Sequence, residues 1–352
     1  MKYLLLVLSF YLISGIVTGQ VEQGLVAKYY FNNESFEDEI GEVDGTPINV
    51  IFTNDRFNNP FSAIRFIPDN QSAISFGDNF DELFANADGA FCFSFWMTMS
   101  DPEINGTILI TKYGNSNCGE DQREFFIRIG TNNKIGIGYY SSLGWDSYRI
   151  IESSSSILDT LWHHIVINYN STIDENDGLD RLNFYIDNEL QETTLVECSG
   201  SLGDIQDGTA HFGLGNAIGS YGNLCGSYFH YGNFDDFRIY DRILNSEEVD
   251  TLYNEMDPFM KITENSIAYF NLNNLPNPFS TSTTIEYELQ QPEKVTLTIY
   301  DHMGKQVYQT QENQPHGKQQ LIWNAESYAD GIYYYRLQIG DEVANGKIVK
   351  VR

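Results

Sequence analysis

Tyr228 to Tyr253, YFHYGNFDDFRIYDRILNSEEVDTLY, is the stretch that decides the fold. Asn233 to Tyr240 alternates with the period of a strand. Phe234, Asp236, Arg238 and Tyr240 are expected on one face, and Asp235, Phe237 and Ile239 on the other. A capped helical turn follows. Asn245 suits the N-cap, Glu248 lies three residues on, and Leu244 and Val249 flank them as a hydrophobic staple. Val249, Leu252 and Tyr253 then form one short apolar face.

Working outward, Gly24 to Phe31 (GLVAKYYF) reads as an opening strand, followed by an acidic loop from Asn32 to Pro47. Further short runs follow, among them Phe91 to Ser100, Lys134 to Tyr140, Trp162 to Tyr169, Arg181 to Asp187 and Ala210 to Leu214. Many short strands separated by Gly, Asn and Asp turns predict an all-β sandwich or barrel. A second block from Leu275 onward, with alternation over Thr283 to Leu289 and Val295 to Tyr300, predicts a small C-terminal immunoglobulin-like β-sandwich. The polar residues 257–273 between the blocks read as a linker.

The order GLVAKYYF, DEIGEVDGT, FSFWM, LWHHIVINY, RLNFYIDNE, HFGLGN and DDFRIYDRILNSEEV resembles the laminin-G-like (concanavalin A-like) domains. That resemblance implies an antiparallel jelly-roll sandwich over 20–256, closed by the Asn233 to Tyr240 strand. The C-terminal block, 274–352, is similar to the type IX secretion sorting domain of Bacteroidota. The similarity rests on Pro276-Asn277-Pro278-Phe279, the turn after Tyr300, Asp330-Gly331-Ile332-Tyr333 and the basic end Lys347 to Arg352. It implies passage across the outer membrane to the cell surface or medium, with the type IX machinery as a partner.

Residues 1–19 have the composition of a signal peptide: Lys2, an apolar run from Tyr3 to Ile16, and Val17-Thr18-Gly19 before Gln20. That run is too short to span a bilayer, so no membrane span is expected in the mature protein. The 352-residue chain carries a formal net charge of −29. Such a balance disfavours nucleic acid and anionic membranes, which need clustered Lys and Arg, and favours divalent cations. In an exported chain the four cysteines, Cys92, Cys118, Cys198 and Cys225, are free to oxidise, and they allow three pairings. Cys92 reads as a buried thiol. A jelly roll implies that the loops holding Cys118 and Cys225 lie close, and this is the expected bridge.

Asp38, Asp44, Asp235 and Asp236 are candidate metal ligands. The resemblance implies that the loop after the first strand meets the closing strand around Ca²⁺. Asp38, carbonyls near Gly41 and Thr46, and one of Asp235 or Asp236 would supply the hard oxygens that calcium prefers. The stretch Asp174 to Asp180 has some calcium-loop character but reads as a polar hairpin tip. Trp96 and Trp162 lie in apolar strand runs and are expected in the core. Trp145, Tyr221, Tyr228 and Tyr231 lie in Gly/Asn-rich loops, where exposed rings beside amides suit sugar recognition. Laminarinase-type members of the fold place catalytic carboxylates in alternation on one strand, and Glu39 to Asp44 does not match that order. His163 and His164 are strand neighbours facing opposite ways. The expectation is a non-catalytic binding protein for glycans, with an adhesin for protein or matrix partners, or a glycoside hydrolase, as alternatives.

Overall fold

The computed structural model describes residues 21–352, except 60, 68–70, 86–88, 102–105, 115–121, 142–146, 174–175, 226–228, 256–271, 302–305 and 341. The expected signal peptide lies outside the described residues, as does nearly all of the expected linker. The chain divides into two compact units at Tyr253/Asn254. Among the described residues, no helix is long and apolar enough to cross a membrane.

The first unit holds two antiparallel sheets. One contains β1 (Leu25–Tyr29), β3 (Ile51–Thr53), β4 (Ala63–Phe66), β6 (Ala90–Met97), β11 (His163–Asn170), β12 (Leu182–Ile186), β13 (Glu189–Gln191) and β16 (Gly232–Tyr240). Its order is β13-β12-β11-β6-β16-β4-β3, with β1 also paired to β16. The other contains β2 (Thr46–Ile48), β5 (Ala73–Ser75), β7 (Thr107–Gly114), β8 (Gln122–Ile129), β9 (Lys134–Tyr140), β10 (Tyr148–Ser156), β14 (Thr193–Ser199) and β15 (Phe212–Leu214). Its order is β14-β10-β9-β8-β7-β15-β5-β2. Sequence neighbours are repeatedly separated by strands from elsewhere in the chain, as a jelly roll requires.

The inner faces meet in one core. Phe93, Phe95, Phe234 and Phe237 from the first sheet pack with Phe125, Ile127, Ile137 and Phe212 from the second. Phe95 and Phe234 stack at 4.7 Å between ring centroids, and Phe93 and Phe212 at 6.0 Å. The short helix α1 (Asp81–Phe84) drives Phe84 into this core.

The closing strand β16 is central, pairing with β6, β4 and β1. It departs from simple alternation at one point. Asp236 has φ 54°, and the register with β6 shifts between Asp235 and Arg238. The bulge adds a residue, so Phe234 and Phe237 both reach the core and Asp235 and Asp236 are both left out of it. The expected opposition of Asp235 and Asp236 is therefore wrong, because a bulge resets the period.

Helix α2 (Ser246–Tyr253) begins at the cap read from the sequence. Asn245 Oδ1 accepts from the backbone N–H of Glu247 (2.9 Å) and Glu248 (3.0 Å), and Glu248 Oε2 accepts from Asn245 N–H at 2.9 Å. Leu244, Val249 and Leu252 bury against Cys92, Val166 and Tyr240 on the far side of the first sheet. Trp96 and Trp162 are only half-buried, which corrects the expectation of core placement. Trp96 stacks on Tyr253 (5.7 Å) and His164 (5.1 Å).

The second unit pairs a sheet of β17 (Asn273–Leu275), β18 (Ser282–Leu289) and β21 (Gly317–Asn324) with one of β19 (Glu293–Tyr300), β20 (Gln306–Gln314), β22 (Gly331–Ile339) and β23 (Glu342–Lys350). Trp323, Leu297, Ile299 and Ile285 fill the space between them. The ends of this unit are tied together. Asn277 donates to the Lys347 carbonyl (2.8 Å) and accepts from Val349 N–H (2.8 Å), while Phe279 bridges Lys350. Lys350 is held by Asp330 at 2.8 Å.

Candidate functional site

The first polar centre surrounds the closing strand. Arg56 Nη1 lies 3.1 Å from Asp235 and Arg56 Nη2 2.7 Å from Asp236, and Arg238 lies 3.2 Å from Asp236. All four side chains are nearly inaccessible. Burial opposes charge on both acids. Flanked by Arg238 and Arg56, Asp236 is nonetheless held below the usual carboxylate range, whereas at Asp235 burial dominates and the pKa is raised. The Arg56 guanidinium also covers the Trp96 ring at 4.7 Å. Both aspartates therefore already have cationic partners, and no sequence signal pointed to Arg56, which is far away in the chain.

Asp38 and Asp44 do come together. Asp38 Oδ1 accepts from Lys28 N–H (3.0 Å) and Ile40 N–H (3.1 Å), and Asp44 Oδ1 accepts from Asp38 N–H (3.0 Å). Asp38 Oδ2 is buried without a hydrogen-bond partner. A Cβ at Gly41 would lie 2.3 Å from that oxygen and 3.2 Å from the Val26 carbonyl, so the cradle closes if the glycine is replaced. Beside it, burial first and then the Asp38 and Asp44 charges raise the Tyr29 hydroxyl well above its ordinary pKa, and that hydroxyl donates to the Val43 carbonyl at 2.6 Å. Thr46 begins β2 and is exposed. Among the described residues, no group of three or more His, Cys, Asp or Glu side chains is arranged to hold a metal. Asp38 Oδ2 and Asp44 are hard oxygen donors of the kind calcium takes, and a calcium ion there would need further oxygens to fill its roughly six to eight positions.

The second polar centre was not foreseen. Lys112, on β7, is fully buried, and its ammonium lies 2.7 Å from Asp78, 2.7 Å from Asp81 and 2.8 Å from Glu124. It also donates to the carbonyls of Ala210 (3.0 Å) and Gly208 (3.4 Å). Three carboxylates on one ammonium leave excess negative charge. Glu124 is the most buried of the three, and desolvation raises its pKa to about 8 despite Lys112. The available signal was a lone lysine within the apolar run Thr107 to Tyr113, since a lysine in such a strand needs acids around it.

Two hydrogen-bonded strings of residues lead from the neighbourhood of this cluster toward Tyr221. Ser75 Oγ is 2.9 Å from His211 Nδ1 and accepts from Gly77 N–H at 3.3 Å, next to Asp78. Across Lys112, Thr209 N–H donates to Gln122 Oε1 (3.3 Å), and Thr209 Oγ1 lies 2.8 Å from Ser220 Oγ. Tyr221 follows, 89% exposed, and a Cβ at Gly222 would lie 3.5 Å from His211 Cε1, so the next residue lies beside His211. Of the other aromatics expected at a ligand site, Tyr231 is half-buried with Arg65 6.0 Å from its ring, while Trp145 and Tyr228 lie outside the described residues. Cys92 and Cys198 are free thiols, Cys225 is buried, and Cys118 lies outside the described residues.

His163 and His164 act separately. His163 bridges Asp187 (2.7 Å) and Asp159 (2.9 Å), which raise its pKa against desolvation. His164 is buried on Ser94 Oγ at 2.9 Å, and desolvation with Arg238 and Arg56 lowers it to about 3.

Two sheets around one core and a closing strand with its capped helix define a jelly-roll domain joined to a small sandwich. The sequence profile of the concanavalin A-like lectin/glucanases superfamily matches residues 68–250, and that of the secretion system C-terminal sorting domain matches residues 274–351. The chain belongs to the concanavalin A-like lectin/glucanase superfamily and carries a type IX sorting domain, which directs it to the cell surface or the medium. No curated protein matches its sequence. Among solved structures, it is similar to the binding domain of Paraclostridial Mosquitocidal Protein 1, at 18% identity over 94% of this chain and 73% of that one, with a TM-score of 0.50. That likeness shows the fold. Also similar are a botulinum neurotoxin type C structure that concerns cell entry through two ganglioside molecules (14% identity, 93% and 74% covered, TM-score 0.49) and Trypanosoma rangeli sialidase with sialic acid (16%, 65% and 32%, TM-score 0.42).

Proposed function

We propose that this is an exported, non-catalytic carbohydrate-binding protein, with Tyr221 and the Thr209–Ser220–Gln122 rim as its contact surface. The observation that carries this reading is the Tyr221 ring. At 89% exposure it adds nothing to the core, and its chain neighbour Ser220 belongs to a hydrogen-bonded set of hydroxyl and amide groups with Thr209 and Gln122. A sugar stacks its apolar face on such a ring and offers hydroxyls to the polar atoms beside it. Membership in a lectin-containing superfamily and export to the surface agree with it.

Calcium at Asp38, Gly41 and Asp44 belongs to the same proposal, as a structural ion for the loop after β1. The orphaned Asp38 Oδ2 supports it. We also assign a Cys118–Cys225 disulfide: Cys225 is not free, whereas Cys92 and Cys198 are.

The test is a glycan array on the full chain, with calcium and with chelator, beside Tyr221→Ala. Saturable binding lost by at least about tenfold in Tyr221→Ala, with an unchanged melting temperature, is expected for one removed stacking ring. Binding unchanged by that variant would remove the assigned surface. The adhesin reading has one observation of its own: Leu158 and Leu161 are 70% and 66% exposed in the loop before β11. An array blank for glycans, together with matrix-protein binding lost in Leu158→Ser/Leu161→Ser, would replace the glycan reading with it.

A further inference from the structure

The charge of the rim limits which glycans it accepts. We propose that the Tyr221 surface takes neutral or amine-bearing glycans and rejects those carrying acidic groups such as sialic acid, uronic acid or sulfate. This rests on the glycan reading above and names the ligand class of that same site.

Three observations lead there. First, the carboxylates nearest the rim reach solvent while their counter-ion does not. Asp78 and Asp81 side chains are 37% and 34% exposed, whereas Lys112 is 0% exposed. Secondly, Lys112 has no donor left for a ligand. Its three N–H groups serve three carboxylates at 2.7, 2.7 and 2.8 Å and share the carbonyls of Gly208 and Ala210. Thirdly, exposed Asp207 adds negative charge beside the cluster, whereas buried Glu124, raised to about 8, is mostly protonated at neutral pH and supplies no compensating cation. Arg123, beside Glu124 in β8, is turned to the Tyr140 ring at 5.5 Å.

An anion seated on Tyr221 therefore meets a negative field, reinforced by the −29 charge of the whole chain. An uncharged sugar does not meet that cost, and its hydroxyls can donate to Asp78 and Asp81, which accept strongly as carboxylates. An ammonium on a glucosamine unit gains from the same field.

The test uses the full chain and a matched pair, N-acetyllactosamine and its sialylated form, with a glucosamine oligomer as third probe. At low ionic strength the sialylated member is expected to bind about tenfold more weakly than its parent, a ratio that shrinks toward one near 1 M salt as screening sets in. Asp78→Asn/Asp81→Asn should narrow the ratio at low salt. Asp207→Asn, which leaves the Lys112 contacts intact, should narrow it less and keeps the test alive if the double variant fails to fold. Equal or tighter binding of the sialylated member overturns this inference and leaves the glycan reading standing. Absence of binding by all three probes overturns both.

Discussion

Replacing Lys112 by Met keeps an unbranched apolar side chain of similar volume, one atom shorter, and removes the ammonium with its charge and donors. Three carboxylates then face one another without a cation, and the carbonyls of Gly208 and Ala210 lose a donor. The nominal Coulomb attraction at such distances is large, but it overstates the loss. Asp78 and Asp81 are about one-third exposed and relax into water, and Glu124, raised to about 8, is already mostly protonated at neutral pH. What remains is the lost charged hydrogen bonding and the unsatisfied carbonyls, together about 3 kcal/mol. For a unit of this size that lowers the melting temperature by about 6–12 °C. The assay is calorimetry of the full chain at neutral pH, following the first unit. Adding Glu124→Gln to Lys112→Met should cost less than the two single effects summed, because the variants share one contact. A loss below about 1 kcal/mol for Lys112→Met would refute the reasoning, since the ammonium would then contribute no more than an exposed pair.

The same cluster sets a pH dependence. Glu124 titrates near 8 when folded against an ordinary value of 4.5, so its contribution is complete below 4.5 and is lost as pH rises through 8. Denaturant melts across that window should show stability falling by up to about 1.4 kcal/mol per pH unit, with a flatter profile in Glu124→Gln. Gly41→Ala should place its methyl against Asp38 Oδ2 and abolish any calcium-dependent rise in melting temperature; an undiminished rise would move the ion elsewhere. Asn277→Ala removes both hydrogen bonds to the last strand, which predicts a loss of about 1–3 kcal/mol in the second unit and less protein in the medium. Unchanged stability in a urea melt would show that Phe279 alone holds that end.

Local chemistry was legible from the chain. The Asn245–Glu248 cap depends on residues three apart, and its side chains reach the N–H groups that the sequence placed before them. The strand order of the family, the sorting block and the adjacency of Asp38 and Asp44 likewise follow from short spacings or from whole motifs in order. What pairs across the fold was not legible. Arg56 meets Asp235 across 179 residues, and Lys112 meets Ala210 across 98. A single inserted residue at Asp236 turned that acid to the same side as Asp235, because strand alternation carries no warning of a bulge. By itself the sequence determined the sandwich, the capped closure and the C-terminal sorting domain, since these rest on periodicity, local hydrogen bonds and short motifs in order. Only the tertiary structure decided which acids meet a cation, which oxygen is left without one and which tyrosine stands clear of the core, because burial and ion pairing are set by residues far apart in the chain.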